Sequence, residues 1–429
     1  MQSIQAGIAA ADMTPEPGPP LQGHAGSGGS HSIFAPLEAR AVVFECDGTR
    51  VGIVTLDSLG ISAESTARVR QRVQQACDIR PDHLMIACSH THCAPAMVRV
   101  LDEMPYEPFL RMAEEAAVRC SVEAGSSLRS VRFGLGCGSV HFNINRRPLP
   151  GTTEMAPNEL ELVDRRVRVL TVTGEDDDLI AVLFHYSCHP TTMSGTNGII
   201  SPDYPGVARA RIESKLGCKA MFLPGCAGDI RPNIQDDRGQ FASATQEQLR
   251  ACGLELGDEV SRVAGSVSAE SSASLRAQCA PLVLRYGRTK DQAELQAIVD
   301  RHASGQNEPL GPWARRVLDL IDQNRLPESR TFEMQHLQIG PLAIVGIPGE
   351  PVQSIGHAIE RRCRAMENAA DCWPVGYSND ALGYFCTSLQ HKAGGYEPNA
   401  YVYDNEPAPY EDEANSIIST ATKLLENNQ

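Results

Sequence analysis

Short apolar blocks, each closed by a polar cluster, recur along this chain. Ala41 to Glu45 and Val51 to Leu56 flank Cys46-Asp47-Gly48-Thr49, and Asp-Gly between two apolar runs predicts a β-hairpin. The second run stops at Asp57. Residues 62 to 78 change period, with Val69, Val73 and Ala76 at helical spacing. They lead into His83-Leu-Met-Ile-Ala-Cys88, a short buried strand that stops at Ser89-His90-Thr91-His92. This is a strand, helix, strand unit with polar residues at its strand ends, where α/β sheets place their chemistry. The same form returns at Leu179 to Tyr186, ending at Cys188-His189-Pro190, and at Lys219 to Leu223, ending at Pro224 through Asp229. It returns again at Leu342 to Ile347, ending at Pro348-Gly349-Glu350. Residues 285 to 330 are helical in pattern, charged and Gln-rich, and read as an inserted or covering element without a chemical motif. The pattern predicts an α/β fold whose strand ends deliver polar residues.

Composition narrows the classes. With 429 residues, 42% hydrophobic and 21% charged, the chain can bury a large core, and length alone suggests two or three domains of about 150 residues. A net charge of -15 without any basic block excludes a nucleic-acid partner. The N-terminus has neither a basic nor a long apolar region, and no apolar run approaches the ~18 residues of a membrane span. The expectation is therefore a cytoplasmic protein without a membrane anchor, its oligomeric state left open. The 14 cysteines are scattered, without CxxC, and read as reduced thiols, most of them small buried hydrophobes.

Ser89-His90-Thr91-His92 is the sharpest chemical feature. On an extended segment an HxH turns both imidazoles to one side, as two metal ligands or a ligand and a base require. His189 strengthens this reading, since it too closes a buried strand.

These residues belong to a wider resemblance. Gly7 to Pro15 is similar to the opening of the neutral/alkaline ceramidase catalytic domain, and residues 89 to 95, SHTHCAP, resemble that family's SHTHSGP. Asn143-Ile-Asn-Arg146-Arg-Pro148 resembles its NINRSP. Cys188 to Met193 with Ser201 to Gly206 resembles its histidine loop, and Gly225 to Asn233 resembles the loop that reads GDVSPN there. Pro348-Gly349-Glu350 matches its PGE, and Ser378-Asn379 through Tyr384 to Tyr396-Glu397 keeps its tyrosine-rich spacing.

The resemblance implies mixed β-sheets flanked by helices, forming a single catalytic domain over residues 1–429, with the helical insertion at about 285–330. Members of the ceramidase type carry a signal peptide and a C-terminal immunoglobulin-like domain, and the expectation here is a trimmed relative with neither. The resemblance also makes His90, His189, Glu350 and Tyr384 the ligands of one catalytic Zn2+ per chain, with room for a water. His92 becomes the general base and acid, and Arg146 and Tyr396 hold the carbonyl and stabilise the oxyanion. The bland readings stay open: a carboxylate after Pro-Gly also suits a helix N-terminus, and both tyrosines suit packed aromatics. The mixed N/O set would also admit iron or manganese.

The chain departs from the family at Arg231, which stands where GDVSPN has serine. That removes a serine-acyl route and leaves attack by zinc-bound water. A guanidinium there suits a carboxylate or phosphate, so the expected activity is zinc-dependent hydrolysis of the amide C–N bond of a small, polar, anionic N-acyl compound. Asn143 and Asp229 join Arg231 as substrate-binding candidates, although strand-end aspartates such as Asp57, Asp203 and Asp229 more often make loop-stabilising hydrogen bonds. The alternatives are ceramide hydrolysis itself, an esterase or lactonase at the same zinc, and a non-catalytic binding protein.

Overall fold

The computed structural model describes residues 3–23, 28–148, 155–305, 309–366, 369–380 and 383–426. Its long strands are β1 (Gln5–Asp12), β2 (Glu38–Cys46), β3 (Thr49–Leu56), β4 (Leu84–Cys88), β5 (Arg129–Ser139), β6 (Arg166–Gly174), β7 (Leu179–Tyr186), β8 (Lys219–Pro224), β9 (Leu275–Arg285), β10 (Ser329–Ile339), β11 (Leu342–Gly346) and β12 (Asp371–Val375). The helices are α1 (Ala63–Cys77), α2 (Glu107–Ser126), α3 (Asp203–Leu216), α4 (Gln246–Ala264), α5 (Gln292–Ala303), α6 (Gly311–Asp322), α7 (Gln353–Met366), α8 (Ser388–Ala393) and α9 (Glu413–Glu426). The expected hairpin is β2–β3, and its turn residues Asp47 (φ 51°) and Gly48 (φ 75°) both take the left-handed backbone that Asp-Gly tolerates.

Eight strands form one sheet in the order β8-β7-β6-β5-β1-β2-β3-β4, and four form a second in the order β9-β10-β11-β12. Each sheet is mixed. Antiparallel ladders dominate, while β3/β4, β7/β8 and β11/β12 are parallel pairs, each joined through a crossover helix, α1, α3 or α7. The two sheets face each other across an apolar core in which Val42, Phe44, Met85, Leu183 and Leu223 meet Leu337, Ile344, Trp373 and Val375. Helices cover the outer faces: α1 and α2 over β1–β4, α3 and α4 over β6–β8, and α7 and α9 over the four-stranded sheet. Helix α2 shows why these helices form, since Phe109, Ala113, Ala116, Cys120 and Ala124 are buried at three- and four-residue spacing along one face. The result is a four-layer arrangement of helices, sheet, sheet and helices.

The layering puts the chemistry in one place. The carboxyl ends of the three parallel pairs are tied together, by Cys88 N–H to Tyr377 O, Gly225 N–H to Tyr186 O and Gly376 N–H to Pro224 O. Within 285–330, α5 and α6 pack on each other and on Val402 beside the tyrosine-rich segment. Of the cysteines, all but Cys77, Cys137 and Cys279 are buried. Among the described residues no helix is long and apolar enough to cross a membrane.

Candidate active site

Three strand ends supply the centre. His90 follows β4, but not on extended backbone: its φ of 68° is left-handed, a conformation a histidine seldom takes. Two hydrogen bonds hold it there, backbone N–H to Ser58 O at 2.9 Å and ring Nδ1–H to Leu59 O at 2.6 Å. This corrects the expected geometry of the HxH. The imidazoles of His90 and His92 meet through the kink, Nε2 to Nε2 at 3.3 Å, and do not project side by side from a strand. His92 Nδ1 lies 3.2 Å from the Gly23 carbonyl. Gly23 is itself at φ 101°, and a Cβ there would stand 2.3 Å from His92 Nδ1, so only glycine lets this backbone reach the ring.

His189 follows β7 and is fully buried, its Nδ1–H donating to Ala227 O at 2.6 Å. Since Nδ1 carries the proton on both His90 and His189, both Nε2 atoms present lone pairs. Those lone pairs converge on Glu350 Oε2, at 3.1 Å from His90 and 2.9 Å from His189. Glu350 follows β11, and its short strand with Pro351 pairs alongside Tyr384–Phe385, which brings Tyr384 Oη to 3.4 Å from His189 Nε2. Burial and the nearby Arg146 push His189 down to about 3, so it holds no second proton at neutral pH. A carboxylate oxygen against an imidazole lone pair repels unless a positive charge sits between them. The donor set therefore fits a divalent cation, with N and O atoms of the kind zinc accepts. His90, His92 and His189 also place three ring nitrogens within 4.8 Å of one another, so His92 is near enough to be a further ligand.

Around this centre lies a charged frame. Arg146, 4% exposed, donates to Glu397 Oε1 at 3.0 Å, to Gly228 O at 2.6 Å and to Tyr384 Oη at 2.9 Å. Its guanidinium lies over the Tyr384 and Tyr396 rings at 5.4 and 5.7 Å. Burial pushes the Tyr384 hydroxyl well up from its ordinary value, while Arg146 pulls it down.

A sequence model of the neutral/alkaline non-lysosomal ceramidase N-terminal region matches residues 5–275. The chain belongs to the neutral/alkaline non-lysosomal ceramidase family. It is 24% identical over 430 residues to the neutral ceramidase of Pseudomonas aeruginosa, covering 85% of this chain and 64% of that protein. The neutral ceramidase of Drosophila pseudoobscura pseudoobscura is 26% identical over 261 residues, covering 54% of this chain and 36% of the relative. The chain thus spans less than two thirds of the length of either. The crystal structure of the Pseudomonas aeruginosa neutral ceramidase superimposes with a TM-score of 0.77 at 21% identity, covering 100% of this chain and 75% of that one. A ceramidase complexed with C2 gives 0.75 at 20% identity, with 100% and 76% covered. The ceramidase fold of mixed sheets and flanking helices is therefore shared.

Seven of the ten site residues read from the sequence come together: His90, His92, His189, Glu350, Tyr384, Arg146 and Tyr396. The other three sit differently. Asn143 donates to Asp164 O and Ser187 O, and Asp229 accepts from Gln353 N–H, Asn145 and Gln390, so both spend these groups on the protein's own framework. Arg231 crosses Ile144 in a short ladder and rests its guanidinium on Phe241 at 4.2 Å. Its Nε is buried without a partner, and it has no carboxylate partner among the described residues. Asp57 and Asp203 keep the loop roles expected of them, Asp57 with a bidentate Arg209 at 2.8 and 2.5 Å and Asp203 capping Thr192 and Met193. Two contributors carry no motif of their own: Tyr377, stacked on His90 with centroids 4.2 Å apart, and Glu397, which anchors Arg146. The signal for Glu397 was only its place beside Tyr396.

Proposed function

We propose that the chain hydrolyses the amide bond of an N-acylated lipid of the ceramide type at a divalent ion, zinc by its donor set, held by His90, His189, Glu350 and Tyr384. The observation that carries this reading is the meeting of two imidazole lone pairs on one oxygen of Glu350. An ion bound there supplies Lewis acidity toward a carbonyl and a water. His92, tethered through Nδ1 and with Nε2 beside that of His90, takes a proton from the attacking water and returns it to the leaving amine. Arg146, fixed by Glu397 and Gly228, offers charge that need not reorganise as the oxyanion develops, and Tyr396 lines the same side.

Family membership and relatives that are neutral ceramidases support ceramide better than the small anionic compound expected from the sequence. A second reading, an anionic head on the N-acyl substrate, is favoured by one observation, the Arg231 guanidinium, whose Nε has no hydrogen-bond partner and which meets no carboxylate among the described residues. The test is metal content and hydrolysis of short and long ceramides and N-acyl amino acids. His90→Ala and Glu350→Ala should lose a bound ion and cleave all substrates orders of magnitude more slowly; full turnover in either would overturn the ligand set. Arg231→Ser should raise KM for N-acyl amino acids while sparing ceramides, and equal effects on both would remove the second reading.

A further inference from the structure

A second group of ligand-type side chains lies outside the proposed catalytic set. Cys386 follows the short Tyr384–Phe385 strand, His391 is on α8, and Glu413 opens α9. One ligand atom from each lies within 4.8 Å of the others. Cys386 and Glu413 are each 2% exposed, while the His391 side chain is 26% exposed. Glu413 Oε1 accepts from Cys386 N–H at 3.1 Å and lies 2.5 Å from His391 Nε2. That contact alone would be an ordinary buried ion pair. It accounts for only half of the carboxylate, because Glu413 Oε2 is buried with no hydrogen-bond partner among the described residues. A bare carboxylate oxygen beside a buried sulfur is costly unless a cation reaches both. Beside the group is a cavity of about 10 Å³, bounded by Tyr384, His391, Glu397, Glu406 and Glu413. That is enough for one water-sized fourth ligand.

We infer that Cys386, His391 and Glu413 bind a second divalent metal ion, distinct from the one at His90 and His189. One thiolate, one imidazole and one carboxylate form a donor set of borderline softness, which takes zinc or cobalt in preference to magnesium or calcium. Binding expels the Cys386 thiol proton to solvent and leaves the thiolate on the ion. The ion would join three segments, the strand that carries Tyr384, α8 and α9, and so clip the C-terminal helix to the wall of the active site.

The experiment uses the full chain, stripped with chelator and reloaded with Zn2+ or Co2+ alone. Wild type should take up about two ions per chain, His189→Ala about one, Cys386→Ser about one, and the double variant none. Cobalt loading should give a thiolate-to-cobalt charge-transfer band in wild type and His189→Ala and none in Cys386→Ser. The proposed catalytic set contains no thiol, so this band reports the second site whatever the fate of the first. His391→Asn, at a partly exposed position less demanding of the fold, should weaken Zn2+ binding at this site at least tenfold. Absence of the band in cobalt-loaded wild type, or loss of all bound metal in His189→Ala alone, would overturn the inference.

Discussion

Replacing Glu397 with Gln asks what holds Arg146 in place. The Glu397 carboxylate is fully buried and divides its oxygens between Arg146 Nε at 3.0 Å and Arg147 Nη1 at 2.6 Å. Each contact is worth about 5–6 kcal/mol at an effective dielectric of about 20. Desolvation of the ions, several kcal/mol each, offsets much of this, so the intact cluster adds little net stability. The cost appears when one partner is removed. Gln preserves volume and one acceptor oxygen, but leaves two buried guanidinium groups without their countercharge and turns an NH2 toward one of them. The expected loss is about 3–5 kcal/mol. Urea unfolding at neutral pH should report it as a lower midpoint with unchanged slope. Because Arg146 also donates to Tyr384, kcat should fall more than KM rises, and Glu397→Asp, which keeps the charge, should recover part of both. A Glu397→Gln protein within about 0.5 kcal/mol of wild type would refute the reasoning. It would mean that the carbonyls of Gly228 and Gly394 suffice to hold the two arginines.

Acid should destabilise the fold through two buried histidines. Burial pushes His185 down to about 3 and His336 down to about 4, so they stay neutral in the fold while the unfolded chain takes up protons below its own value near 6.5. Their stabilisation is complete above that value and falls by about 2 kcal/mol each between about pH 7.5 and 5. Asp203, raised to about 6 by burial, works in the opposite direction and returns a little over ~1 kcal/mol across the same interval. His336→Leu should therefore lose about 2 kcal/mol less than wild type on this acidification, measured by urea midpoints at the two pH values, and equal losses would disprove the assignment. Gly23→Ala drives a methyl group into His92, and should cut kcat at least tenfold while the metal content stays that of wild type; a lost ion would instead make His92 a ligand. Tyr377→Phe removes a buried hydroxyl with no partner among the described residues, so stability should hold or rise by up to about 1 kcal/mol, and a clear loss in thermal unfolding would mean the hydroxyl is bonded.

Much of the centre was legible because its residues sit at strand ends, and strand ends show as a switch from apolar to polar along the chain. His90, His189 and Glu350 each follow a buried run, and β3, α1 and β4 lie within a residue or two of where periodicity placed them. Half-exposed antiparallel strands were less visible. Strand β5 alternates Gly134, Gly136 and Gly138 along one face, a composition that reads as turn. The tertiary structure explains it, since a Cβ on Gly136 would stand 2.5 Å from Val263 of α4, and the bare strand face is what lets that helix lie against it. The left-handed turn at His90 was equally invisible, because it is imposed by carbonyls at Ser58 and Leu59 that reach it only once β3 and β4 are paired.

Local sequence determined where the chain extends, coils and turns, and which ligand-type side chains end its strands, because these depend on neighbours a few residues apart. Only tertiary structure decided which atoms share a site. It set two histidine lone pairs on one oxygen of Glu350, gave Arg146 and Arg147 a common buried partner 250 or more positions away, and left Arg231 with no carboxylate partner among the described residues. Those outcomes follow from packing two mixed sheets face to face, which brings three pairs of parallel strand ends together whatever their separation along the chain.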